Sequence, residues 1–129
     1  MNDFSSAMAM SSSGMQAQAG RLRHVSENIA NADTPGYQRK TVAFEQIARG
    51  ENAGRVHVGP TQLDQSALVE VFDPDNPLSD TDGYYQGSNV KLLVEIADAR
   101  EAHRSYEANL RVFEQTRQMS SSLMDLLRR

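Results

Sequence analysis

The chain has 129 residues, a formal charge of −4, no cysteine and no tryptophan, with 39% apolar and 6% aromatic side chains. That size holds one domain at most, and the missing cysteines exclude a disulfide framework or a thiolate zinc site. A mildly acidic balance without a basic face argues against nucleic acid as a partner, and no run nears the ~20 apolar residues that span a bilayer.

From the N-terminus, a helix is predicted over residues 3–31, roughly 45 Å long. Met8, Met15, Leu22 and Ile29 recur every seven residues, with Val25 and Ala32 three residues after the last two. Such a repeat marks a helix that packs along another helix in a shallow supercoil. Asn2, Asp3 and Ser5 are cap candidates at its start. Gly14 and Gly20 each cost about 1 kcal/mol against alanine, so the first half needs a neighbour to hold it. The helix stops at Asp33-Thr34-Pro35-Gly36, where Pro35 pushes Thr34 out of the helical region and Gly36 allows a tight turn.

Residues 37–88 read as short strands and turns. Thr41-Val42-Ala43-Phe44, Arg55-Val56-His57-Val58 and Leu68-Val69-Glu70-Val71-Phe72 are β-branched or aromatic runs separated by glycines and Pro60. At most they make a small sheet or hairpin. No lysine or arginine lies between Arg55 and Lys91, whereas Asp64, Glu70, Asp73, Asp75, Asp80 and Asp82 gather there. This is not a calcium loop. Counted from Asp73, Leu78 stands where glycine is needed and Tyr84 where a bidentate Glu is needed; counted from Asp80, Lys91 takes the last position.

A second helix is predicted over residues 89–128, roughly 60 Å long. Leu92, Ile96, Ala99, His103, Tyr106, Leu110 and Phe113 alternate steps of four and three, and the seam continues through Thr116, Met119, Leu123 and Leu126. Glu101–Arg104, Arg104–Glu107 and Glu107–Arg111 are spaced as helical ion pairs on the outer side. The expected organisation is thus mainly α. Two long terminal helices, in segments 1–36 and 89–129, pair as a coiled coil around a small irregular or β-containing middle segment, 37–88. A helix longer than its own chain's core packs on other subunits.

No catalytic constellation is found. His24, His57 and His103 lack metal-ligand spacing, there is no phosphate-binding glycine loop, and no serine sits in a nucleophile elbow. No enzyme activity, metal, cofactor or small-molecule substrate is expected.

The run Asn28-Ile29-Ala30-Asn31-Ala32-Asp33-Thr34-Pro35-Gly36-Tyr37 resembles the N-terminal signature of the bacterial flagellar rod and hook axial protein family. Asp75-Asn76-Pro77-Leu78, Gly83-Tyr84, Asn89-Val90 and above all Arg104-Ser105-Tyr106-Glu107-Ala108-Asn109 resemble its proximal rod branch. The resemblance covers both ends and the acidic turn. It implies a non-enzymatic building block whose terminal helices pair and stack into a tube, the middle segment lying outside. The expected assembly residues are Met8, Met15, Leu22, Val25, Ile29, Leu92, Ile96, Tyr106, Leu110, Phe113, Met119 and Leu123. Asn28 and Asn31 either cap the helix end or fix the turn and the subunit register by side-chain hydrogen bonds.

The resemblance further implies copies of the chain and other rod proteins as partners, with MS-ring and export-gate adapter proteins at the rod base. It implies passage through the flagellar type III export apparatus without a cleaved signal peptide, and a place in the rod within the periplasm. Two other readings stay open at this point. One is another rod subunit of the same family; the other is a soluble monomeric helical adaptor whose acidic loop docks a basic partner.

Overall fold

The computed structural model describes residues 2–128, Asn2 by its backbone alone. Helix α1 (Asn2–Ala30) is followed by β1 (Lys40–Gln46), β2 (Val56–Leu63), β3 (Glu70–Phe72), β4 (Tyr84–Gln86) and helix α2 (Leu92–Leu127). Asp3 and Ser5 lie inside α1 and do not cap it; a cap by the Asn2 side chain falls outside the described residues.

The two helices run antiparallel. Gly14 lies against Asn109, Arg21 pairs with Asp98, and Asn28 bonds to Glu95, so positions rise along one helix as they fall along the other. α2 starts three residues later than its periodicity suggests, because Asn89 is occupied elsewhere. The Asn89 side chain accepts from the Arg39 amide and donates to the Asp64 and Ser66 carbonyls, which keeps the chain extended up to Lys91.

β1 and β2 form an antiparallel hairpin. Val42 pairs with Thr61 and Phe44 with Val58, so Ala43 faces two residues, Gly59 and Pro60. A bulge is where a strand tolerates the missing amide of Pro60. The hairpin lies along α1: the Val56 amide donates to Ser13 Oγ at 3.0 Å, and Thr61 Oγ1 meets His24 Nε2 at 3.4 Å. The first half of α1, weak in composition, is therefore held on two sides.

β3 and β4 make a second, separate ladder. β4 was not expected, because Tyr84-Tyr85-Gln86 sits within the acidic turn and its aromatic run is only three residues long. Val71 and Tyr85 turn inward over Ala32 and Asp33, while Phe72 and Tyr84 stack outward with ring centroids 5.1 Å apart.

Among the described residues, the buried apolar side chains are Ala17, Val25 and Ala102, all small. The accessible surface is 9142 Å². A compact protein of 14.3 kDa exposes about 6,800 Å². One copy thus leaves about a third more surface in water than a globule of its mass. No described helix is long and apolar enough to cross a membrane.

Candidate functional site

Where α1, the turn after it, β1 and the start of α2 converge, the structure builds a polar junction. Asn28, 1% exposed, sits on the last turn of α1 and uses both ends of its amide. Its Nδ2 donates to the Lys40 carbonyl at 3.0 Å and to Glu95 Oε2 at 3.2 Å. Its Oδ1 accepts from the Lys40 amide and from Tyr37 Oη, each at 2.9 Å. The other Glu95 oxygen takes Arg39 Nε, and the Arg39 guanidinium also grips Asp98. Asp98 in turn receives Arg21 of α1 at 3.2 Å. Glu95 is fully buried. A buried charge is tolerated when paired and hydrogen-bonded, and here both conditions are met.

The turn out of α1 is fixed by side chains as well. Asn31 Nδ2 donates back to the Glu27 carbonyl at 2.9 Å, and Thr34 Oγ1 donates to Asn31 Oδ1 at 3.1 Å. Pro35 is exposed, and Gly36 follows with φ +75°, a left-handed geometry that favours glycine. The Gly36 amide reaches the Gln86 and Gly87 carbonyls, and Ser88 Oγ donates to the Ala32 carbonyl, tying the turn to β4 and the approach to α2. Asn28 and Asn31 thus do different work. Asn31 closes the helix end, and Asn28 joins three elements.

The predicted seam is turned. Apart from the exposed Glu101, which reaches Arg21, the α2 side chains that meet α1 or are buried are Glu95, Asp98, Ala102 and Asn109, with Ser105 half-buried between the last two. Each precedes a predicted position by one residue (Ile96, Ala99, His103, Leu110, Tyr106), a rotation of about 100°. The physical reason is side-chain size. Small and polar residues let the two backbones come close, and the larger apolar ones are carried to the flank. Leu92, Ile96, Leu110, Met119 and Leu123 are exposed; Tyr106 and Phe113 are half-buried beside the contact. On α1, Val25 is buried, Met8, Met15 and Leu22 are half-buried, and Ile29 is exposed. Ala30 and Ala108 are also exposed, and Asn109 Nδ2 donates to the Ser105 carbonyl at 3.0 Å.

Met8, Met15, Leu22 and Ile29 of α1 and Leu92, Ile96 and Leu110 of α2 share one side of the helix pair, whereas Met119, nine residues after Leu110, lies about 180° around α2 from it. Met15 and Leu22 stand two residues from Ser13 and His24, the side chains that meet the β1–β2 hairpin, and so lie about 160° around α1 from it. Leu22 lines a shallow groove with Ala99 and His103, and Ile96 and Leu110 are seven residues either side of His103. At the far end Phe4 lines another groove with Met119, Leu123 and Leu126.

Two family models match the chain, one described as flagella basal body rod protein over residues 8–38 and one as flagellar basal body rod FlgEFG protein C-terminal over residues 81–126. Over 99% of its length the chain is 46% identical to the flagellar basal-body rod protein FlgC of Agrobacterium fabrum, covering 98% of that protein. The chain belongs to the FlgC family of flagellar basal-body rod proteins. It is also 33% identical to the FlgC proteins of Aquifex aeolicus and Salmonella typhimurium, over 92% and 88% of its length and 93% and 90% of theirs. The FlgC-family chain is therefore a non-enzymatic structural subunit of the basal-body rod, and the adaptor reading falls away.

Much of this rod protein's junction was missed in the sequence. Neither motif nor periodicity singles out Arg39, Glu95 or Asp98, and the nearness of Arg39 to Tyr37 is the one signal that could have. The pairs expected along α2 are also different. Glu101 is taken by Arg21 at 3.3 Å and Glu107 by His103 at 3.7 Å; no ion pair reaches Arg104 or Arg111 among the described residues.

Titration at the junction has a defined sign. The Lys40 ammonium, hydrogen-bonded at 2.9 Å, holds the Glu27 carboxyl below its usual 4.5, and the Ser66 amide does the same for Asp64. Groups depressed in the folded state contribute stability above their unfolded pKa and lose it as pH falls through the folded one. Urea midpoints are accordingly expected to fall as pH drops from about 5 towards 3. In Lys40→Met the fall should be shallower, and an unchanged profile would remove Glu27 from the account.

Proposed function

We propose that this subunit builds the rod through the apolar flank of its helix pair, with the polar junction setting the geometry in which that flank is presented. The observation that carries the reading is the contrast, among the described residues, between a core of three small apolar side chains and a flank of larger, more exposed ones. Contiguous exposed apolar surface of this kind marks a site of contact with another protein. In this reading segments 1–36 and 89–129 form the axial layer, and segment 37–88 lies outside it. Met8, Met15, Leu22 and Ile29, with Val25 buried behind them, together with Leu92, Ile96, Tyr106, Leu110 and Phe113 bind copies of the chain and other rod proteins. Met119 and Leu123 do so at the far end.

Contacts with MS-ring and export-gate adapter proteins at the rod base, and a position within the periplasm, belong to the same proposal. So does export through the flagellar type III apparatus with an uncleaved N-terminus. A core this small offers little resistance to unfolding before passage.

Leu110→Asp and Ile29→Asp are the test. Both positions are exposed in the single copy, so helicity and export are expected to be unchanged while assembled rods and motility are lost. Normal rods in both variants would sink the flank as the assembly surface.

A further inference from the structure

The flank leaves two other surfaces uncovered, and they complement one another. The first is the back of α2. Leu93, Arg100, Arg104 and Arg111 lie within about 20° of the line opposite the buried Ala102. Leu93 is 83% exposed, and it lines a shallow groove with Ile96, Ala97, Arg100, Arg104 and Glu101, whose carboxylate is taken by Arg21. No ion pair among the described residues involves any of the three arginines. Arginine is the basic residue best suited to desolvated contact between chains.

The second surface is the outer side of the β3–β4 ladder. Phe72, 62% exposed, stacks on Tyr84, with Leu78 exposed in the connecting loop. Asp73, Asp75, Asp80 and Asp82 surround them, all exposed and none ion-paired among the described residues. β3 and β4 touch neither helix nor the other hairpin. A two-stranded ladder with its aromatic pair in water is marginal alone, and three-residue strands reach only about 10 Å.

We infer that the acidic, aromatic tip of β3–β4 in one copy docks on the arginine-lined back of α2 in the next copy. Apolar Phe72, Tyr84 and Leu78 meet Leu93 and the stems of the arginines, and the aspartates meet the guanidinium groups at the rim. The occupant is a second copy because both halves, opposite in charge and each unpartnered, are carried by the same chain. A patch that binds a different patch on an identical chain is a heterologous contact, which propagates and does not close on a dimer. The inference rests on the rod reading in that it needs a multi-copy assembly; its arginine surface adjoins the apolar flank, since Arg100 and Arg104 also line the groove of Leu22 and His103, and the β3–β4 tip is what sets it apart.

The full chain carries no cysteine, so Asp75→Cys with Arg104→Cys can be oxidised cleanly, in purified protein at high concentration and in isolated basal bodies. A ladder of intermolecular disulfides is expected. Asp75→Arg with Asp82→Arg, and separately Arg104→Glu with Arg111→Glu, should each lower rod yield by about tenfold or more, and all four together should restore it. These positions are exposed, and circular dichroism should show the fold intact in each variant. Failure of the fourfold reversal to restore rods overturns the inference. So do charge-reversed variants that assemble normally, with the rod reading standing if Leu110→Asp still fails. Normal assembly in Leu110→Asp as well would bring down both.

Discussion

Replacing Arg39 with alanine is expected to destabilise the folded chain by about 3–5 kcal/mol, the usual cost of stripping one partner from a buried ion pair. Glu95 has no water to turn to, and without Arg39 it retains only the Asn28 amide. Asp98 loses a partner at the same time. Against a total stability of about 5–15 kcal/mol for a small domain, this loosens the Lys40 end of the β1–β2 hairpin, while the other end keeps its bond to Ser13. Urea titration gives the magnitude, and hydrogen exchange at Lys40 and Thr41 shows where the opening occurs. The pair itself is a separate matter. Arg39→Met with Glu95→Leu should cost far less than Arg39→Ala, because exchanging both charges leaves no unpaired ion. An Arg39→Ala variant within about 0.5 kcal/mol of the parent would mean that the junction is not what holds the hairpin.

The second large effect is expected at Gly14. A methyl group there would stand 2.8 Å from Asn109 Nδ2 and 3.0 Å from its Cγ. Asn109 cannot swing aside freely, since Nδ2 is held by the Ser105 carbonyl. Two opposing terms follow. Alanine at this position improves the intrinsic helix propensity of α1 by about 1 kcal/mol, yet it crowds the Asn109 side chain across the helix contact. Valine adds bulk and loses the propensity gain, so Gly14→Val should destabilise by about 1–3 kcal/mol. Asn109→Ala in the same chain should recover most of that. A double-mutant cycle reads the coupling directly, and a coupling near zero would mean that the two helices do not meet at this pair.

How much of this was legible in the sequence depends on which residues carried it. Both helices were, because a seven-residue apolar repeat and a four-three seam are periodic over many turns and survive local exceptions. The stop after α1 was too, since Pro35 and Gly36 act through backbone sterics that need no partner. The face each helix turns inward was not. Periodicity assigns the large apolar side chains to the nearest helix, and it fails when small residues make the intramolecular contact, as at Ala17 and Ala102. The junction failed for a related reason. Glu95 and Asp98 look like solvent-facing charges until Arg39, more than fifty residues away in the chain, is brought between them. A single sequence does not show that pairing. Tyr84-Tyr85-Gln86 was too short to outweigh the turn residues around it.

The two ends of the helix pair are secured by different kinds of force. Near Asn28 and Glu95 the helices are joined by directional, charge-assisted hydrogen bonds that resist sliding and rotation alike. At Gly14 the helices meet by packing against Asn109, and no ion pair joins them there among the described residues; such packing resists separation more than slippage. Under torsion the pair therefore behaves as a lever clamped at one end: rigid at the turn, compliant towards Phe4 and Leu123. In a rotating shaft, strain would collect at that compliant end, and the stiffness of the whole would be set by how firmly neighbouring subunits grip it.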